Sequence, residues 1–294
     1  MKLFNGQKAA DKILKELKVE IEKKKIRPVL AAILVGEDEA SKLYIRLKKE
    51  VGKKVGIEVR DFNFSSQAKE EEIIAEIKKL NDDKRIQGII IQLPLPAVFN
   101  TDKIIEVISP AKDVDGFHQE NRRLLAKRKE PNFMPVLPAA ILRAISEAVK
   151  NSLPTLKDKN ILALVNSETF AQVLKSVLEK EGLSLKYQAR NTCLVLGLEK
   201  EMQNADVLIS VCGCPNLIKG AMIKNGAILI DGGITRYHDG KVVGDVDRQD
   251  VADKAAFLTP VPGGIGPLTV ALLLCNVYLA AKKVLNSNQR RKGG

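Results

Sequence analysis

An unbroken apolar run, Pro28 to Val35, is closed by Gly36 and followed by a stretch free of Gly and Pro, Ala40 to Val51. This pairing limits the fold more than any other feature. An apolar run without alternation suits a strand covered on both faces, as in parallel sheets. The following stretch reads as a helix. Residues four apart share a helical face. Tyr44 and Lys48 therefore point the same way, with Ser41 beside them. A phenol and an amine just past a strand's carboxyl end stand where open α/β sheets bind ligands. Lys48 is the first candidate for a reactive group. The plain alternative is a solvated face, since Lys42, Lys49, Lys53 and Lys54 crowd the same region.

Strand and helix signals go on alternating. Residues 7–25 carry a helical stripe at Ala10, Ile13, Leu14, Leu17 and Ile21. Ile57 to Phe64 reads as a strand, residues 68–80 as a helix, and Ile86 to Gln92 as a third strand. This order predicts a parallel sheet with right-handed crossovers. The third strand runs into Leu93-Pro94-Leu95-Pro96, where the prolines stop pairing and hold Gln92 at a carboxyl end. A short helix is expected over 101–108. In Lys112-Asp113-Val114-Asp115-Gly116-Phe117 the acids either form a turn or present Asp115 to a ligand as an acceptor.

A second unit is expected after Pro138. It has a helix over 139–149, a polar linker over 151–158, and strands at 160–165, 184–190, 206–211 and 227–231. Phe170, Val173, Leu174, Val177 and Leu178 mark the helix after its first strand. This is a Rossmann-like βαβ pattern. The Gly/Pro-dense loop from Thr259 to Thr269 is either a connector or a stiff backbone that a flat ligand approaches closely. Pro267 suits the first turn of a final, almost wholly apolar helix, which is expected to pack between domains or against a second subunit.

Net charge is +12, with 4% aromatics and no Trp, so stacking platforms for nucleic acid are few. The charge fits attraction of an acidic small ligand, or solubility. Cys193, Cys212, Cys214 and Cys275, with His118 and His238, make no zinc spacing. Reduced thiols and a cytoplasmic location are expected. No apolar leader opens the chain, and the apolar piece after Pro267 reads as too short to span a bilayer. No metal, nucleic-acid or membrane partner is expected.

Several of these pieces are collinear in one known family. Tyr44 with Lys48, Gln92 to Pro96, Lys112 to Phe117, Gly213 with Pro215, Asp231 with Gly233-Ile234, Asp245-Val246-Asp247 and the 259–269 loop resemble the bifunctional methylenetetrahydrofolate dehydrogenase/cyclohydrolases, the FolD family. The resemblance implies two α/β domains, a parallel-sheet domain (1–138 and 268–294) and a Rossmann-like one (139–267). Folate lies in a cleft between them, and the last helix returns to the first domain. It also implies tetrahydrofolate substrates, NADP as cofactor and a homodimer. By the same resemblance Lys48 is the proton-transfer residue, held by Gln92, with Asp115 accepting from the pterin. Tyr44, Pro262 and Gly263 line the folate. Val165, Asn166, Ser167, Arg190 and Ile234 fall where the family meets its nucleotide.

Departures from the family cluster at that nucleotide site. Val165-Asn166-Ser167-Glu168-Thr169-Phe170-Ala171 lacks the family's two glycines and its arginine. A pyrophosphate seeks backbone N–H groups at a helix N-terminus with no Cβ in the way. Val165 and Phe170 add bulk, and Glu168 adds like charge. The expectation is weak or absent NADP binding, with hydrolysis of 5,10-methenyltetrahydrofolate retained. Two alternatives stay open: a fully bifunctional enzyme with a rearranged cofactor loop, and a non-catalytic relative that binds folate or a partner. Near the folate site, Pro135-Val136-Leu137-Pro138 loses polar side chains of the family. Arg122-Arg123 is expected to hold an acidic polyglutamate tail.

Overall fold

The structure is a computed structural model. It describes every residue except Asn191, Leu196, His238, Gly293 and Gly294, and leaves out the side chains of 288–292. His238, weighed above as a zinc ligand, lies outside the described residues.

In chain order the elements are β1 (Lys2–Leu3), α1 (Gly6–Lys24), β2 (Val29–Val35), α2 (Glu39–Val55), β3 (Glu58–Phe64), α3 (Glu70–Asp82), β4 (Gly88–Ile91), α4 (Thr101–Ile105), α5 (Gln119–Ala126) and α6 (Val136–Ala148). There follow β5 (Ile161–Val165), α7 (Glu168–Lys180), β6 (Leu185–Ala189), α8 (Glu199–Asn204), β7 (Val207–Val211), β8 (Ile228–Asp231), β9 (Thr235–Arg236), β10 (Val242–Val243), β11 (Phe257–Leu258) and α9 (Ile265–Lys292). They form two compact units: Asp11–Val136 with Val270–Gly294, and Met1–Ala10 with Leu137–Thr269. The fold is two-domain α/β, with its last helix in the first domain.

In the first unit a parallel sheet runs β3-β2-β4. Every residue of β2 is buried, as an uninterrupted apolar run requires, whereas β3 alternates at the sheet edge. One face packs Ile73, Ile77 and Leu80 of α3. The other packs Leu17 and Ile21 of α1, Ile45 of α2, and Val270, Leu273, Leu274 and Val277 of α9. Removing one such large aliphatic side chain typically costs about 2–5 kcal/mol. Helix α2 begins because the Asp38 carboxylate accepts from Ser41 N at 2.7 Å, and stops at Gly56, whose φ of 88° is open to glycine.

In the second unit the sheet order is β1-β11-β8-β7-β5-β6, every pair parallel. The β6-β5-β7-β8 core is Rossmann-like. Asp231 and Asp245 are buried behind it. Asp245 accepts from Ser210 Oγ and from Cys212 N and Cys214 N, while Asp231 accepts from Gly233 N, Asp245 N and Val246 N. Both carboxylates lie where a Cβ on Gly233 or Gly244 would overlap them, so glycine is required at those two positions. Burial pushes Asp231 up to about 7.

Four expectations are corrected. Residues 1–10 belong with the Rossmann-like unit, because β1 pairs with β11. The helix at 101–108 is only Thr101–Ile105, and α5 follows unannounced. The final apolar segment is longer than expected. Ile265–Ser287, with mean hydropathy 1.7, is long and apolar enough to cross a membrane, yet 56% of its window is buried inside the protein. Cys193 and Cys214 form a disulfide, leaving Cys212 and Cys275 as thiols. Their loops follow β6 and β7, whose carboxyl ends lie on the same edge of the sheet, so residues 21 apart come to a Cα separation of 5.5 Å.

Candidate active site

The site grows from segments that leave the carboxyl ends of β2 and β4. Backbone pairing continues the first sheet beyond β4: Ile89 bridges Asp113 in parallel, and Ile89 N donates to Lys112 O at 2.8 Å. Gln92 and Asp115 thus leave two neighbouring strand-like segments at the same end. From the helix that follows β2, Lys48 reaches Gln92, its Nζ donating to Oε1 at 2.6 Å. The Gln92 amide nitrogen donates to Leu93 O at 2.9 Å, which turns its carbonyl toward the amine. Lys48 Nζ lies 5.9 Å from the centre of the Tyr44 ring, the outer limit for a cation over an aromatic face.

Electrostatics single out the same group of residues. Burial lowers Lys48 to about 8, against an opposing pull from the Asp115 charge. Burial raises Asp115 to about 6, helped by the charge of Asp113 and opposed by Lys48. Each of these groups feels the other. The Gln92 carbonyl orients the amine without the full charge that would restore its basicity. Burial also raises the Tyr44 phenol. With Lys48 near 8, roughly a tenth of the amine is neutral at pH 7. This arrangement can accept and return a proton.

Asp113 is the centre of the turn that carries Asp115. It is 1% exposed and accepts from Gly116 N, His118 N and Asn121 Nδ2. The reading of turn-forming acids applies to Asp113. Arg122, expected to meet an acidic tail, is instead paired with Glu106 at 2.9 Å. Arg123 is exposed.

Pro262 and Gly263 lie in the other unit, in the loop before α9, where Gly6 N donates to Gly263 O at 3.0 Å. Val165, Asn166, Ser167, Arg190 and Ile234 belong to that unit too. The turn from β5 to α7 consists of Asn166 and Ser167. Ser167 Oγ accepts from Phe170 N at 3.2 Å, and Asn166 Nδ2 donates to Cys212 O at 3.2 Å. Arg190 N donates to Val165 O at 2.9 Å, and Ile234 is 37% exposed. The bulk expected to block a pyrophosphate is not in the turn, because the Val165 and Phe170 side chains are buried in the core. Glu168 is drawn to Tyr187, whose hydroxyl donates to Oε1 at 2.6 Å, and to Gln172. The short turn and the helix start after β5 fit a dinucleotide, while the Glu168 charge opposes one. Among the described residues no cluster of His, Cys, Asp and Glu is placed to hold a metal ion.

Sequence models of one family cover most of the chain. Tetrahydrofolate dehydrogenase/cyclohydrolase, catalytic domain, matches residues 4–115, and tetrahydrofolate dehydrogenase/cyclohydrolase, NAD(P)-binding domain, matches residues 138–285. The bifunctional protein FolD of Methanosarcina mazei is 38% identical over 290 residues, covering 97% of each chain. The structure of the bifunctional enzyme FolD from Campylobacter jejuni is similar, with a TM-score of 0.86, 34% identity, and coverage of 96% of this chain and 99% of that one. A Trypanosoma brucei methylenetetrahydrofolate dehydrogenase-cyclohydrolase, solved with NADP and an inhibitor, gives a TM-score of 0.87 at 26% identity, covering 96% and 98%.

Proposed function

This chain belongs to the tetrahydrofolate dehydrogenase/cyclohydrolase family, and we propose that it is a bifunctional enzyme of folate one-carbon metabolism. In this reading it oxidises 5,10-methylenetetrahydrofolate with NADP and hydrolyses the resulting 5,10-methenyltetrahydrofolate to 10-formyltetrahydrofolate. The observation that carries the hydrolytic half is the part-buried Lys48–Gln92 hydrogen bond, with the Asp115 charge acting on the same amine.

The hydrolysis follows from that geometry. Neutral Lys48 takes one proton from water as the water oxygen bonds to the methenyl carbon. The tetrahedral adduct then collapses, the carbon–N5 bond breaks, and the hydroxyl proton passes to N5. The formyl group stays on N10, and one proton is released overall. Gln92 holds the amine in line without raising its basicity. Asp115, ionised above about 6, accepts from a pterin N–H, and Tyr44 lines the ring. Arg123 is our candidate for an acidic folate tail.

The dinucleotide, when bound, supplies the hydride acceptor. Asn166 and Ser167 in the β5–α7 turn and Arg190 after β6 are the residues that would hold it. Support for retained binding comes from the matched NAD(P)-binding domain and from the burial of Val165 and Phe170 away from the turn. A homodimer is part of the proposal, supported by the resemblance and by β3 at the edge of its sheet. Light scattering reads it.

Two assays test the activities apart. Catalysed decay of methenyltetrahydrofolate, read spectrophotometrically, should fall by about a hundredfold or more in Lys48→Ala. NADP-dependent oxidation of methylenetetrahydrofolate should be measurable in the unmodified chain. Methenyl decay at the uncatalysed rate in the parent protein would refute the hydrolytic half. Absence of oxidation at saturating NADP would refute the other.

A further inference from the structure

Helix α9 is apolar over most of its length, yet it puts one amide in the core of the first unit. Asn276 is 7% exposed. Its Nδ2 donates to Val114 O at 2.8 Å and to Met134 O at 3.0 Å. An amide nitrogen has two hydrogens, so both are engaged. A buried polar group is tolerated when its bonds are made in this way.

The two acceptors lie on two segments that meet at Asp115. Val114 O belongs to the peptide that leads into Asp115. On the other side, Asp115 O accepts from Val136 N at 3.1 Å, two residues beyond Met134. Asn276, Val114, Asp115, Val136 and Met134 close a ring of bonds around the Asp115 backbone. The same helix grips the second segment of the ring again: Lys283 Nζ donates to Asn132 O at 2.8 Å and sits 4.6 Å from the Phe133 ring centre. The segments are also pressed together, since a Cβ on Gly116 would meet the Pro135 backbone. Asp113 fixes the turn from within, but the ring is closed from outside it, by a residue 161 positions later than Asp115 in the chain.

We propose that Asn276 is a positioning residue for the reaction. By tying the peptide that leads into Asp115 to the segment whose Val136 N–H bonds Asp115 O, it sets the direction in which that carboxyl is presented to substrate. This rests on the substrate-binding role given to Asp115 above. Asn276 touches neither substrate nor Lys48 in this account and acts only through Asp115.

The test is a double-mutant cycle on the full-length protein, with methenyltetrahydrofolate decay as readout. Asn276→Leu keeps the volume and removes both donors. Alone, it is expected to lower kcat/KM about tenfold or more, chiefly through KM, as a misdirected contact does. It should also move the acidic limb of the pH profile. In an Asp115→Asn background the same change should lower kcat/KM by less than about twofold, because the pathway it acts through is already gone. Equal losses in both backgrounds mean that Asn276 serves packing alone and overturn the proposal. If Asp115→Asn by itself leaves the rate unchanged, the role of Asp115 fails and this proposal falls with it. Should Asn276→Leu not fold by circular dichroism, Asn276→Ser, which keeps one donor, enters the same cycle.

Discussion

At the end of β4 the Gln92 carbonyl meets the amine of Lys48, and at the start of α7 the Glu168 carboxylate meets the phenol of Tyr187, both at 2.6 Å. Both contacts lie where a parallel strand gives way to the next segment, the place where open α/β sheets bind ligands. Their consequences differ because their surroundings do. Lys48 is desolvated, and burial lowers its proton affinity to about 8 against the pull of Asp115. Glu168 is exposed, and its partners hold its carboxyl below its ordinary range, firmly ionised. Bond length alone does not make a group reactive. Desolvation decides it here.

The sharpest way to break that comparison is Lys48→Ala. Loss of positioned acid–base chemistry should cut methenyl decay by about a hundredfold to ten-thousandfold; a loss below tenfold would make the contact structural. The next effect concerns the unit that holds Glu168. Opening the Cys193–Cys214 link, which closes a span of 21 residues, with Cys193→Ser should cost about 3 kcal/mol. A thermal melt with and without reductant reads it. The parent should respond to reductant and the variant should not.

Gln92→Glu then places at the first contact the carboxylate that the second one carries. A carboxylate beside the amine should raise Lys48 by about one unit. Because the neutral amine is the active form, the rise in hydrolysis with pH, centred near 8 in the parent, should move upward. A profile that stays in place would show that Lys48 does not set that limb. The smallest effect is expected from Glu168→Gln. Removing a negative charge from the first turn of α7 should tighten NADP by about two- to fivefold in isothermal titration; unchanged affinity would mean that Tyr187 already screens the charge.

Much of the first unit was legible in the sequence because its signals are local. The unbroken apolar run of β2, the helical spacing of Tyr44 and Lys48, and the prolines after Gln92 each announce themselves within a few residues. The remaining features depend on distant partners. Asn276 had one visible signal, a lone amide in an apolar helix, but nothing local says which carbonyls it meets. The Cys193–Cys214 pair follows from strand order, which spacing does not reveal. In the turn from β5 to α7, side-chain direction is what the residue order does not reveal. Val165 and Phe170 face the core, so the bulk they add is spatially elsewhere. Arg122 carries the expected charge, but Glu106 neutralises it across 16 residues of chain.

Helix α9 has a consequence for how the protein is made. The core around Leu17, Ile21 and Ile45 also takes Val270, Leu273, Leu274 and Val277, so it is incomplete until the chain as far as Val277 has left the ribosome. The nascent Lys48 unit must wait, its apolar groove open, while the intervening Rossmann-like segment is translated. A stop codon shortly before Val270 would therefore damage the half of the protein that was synthesised first.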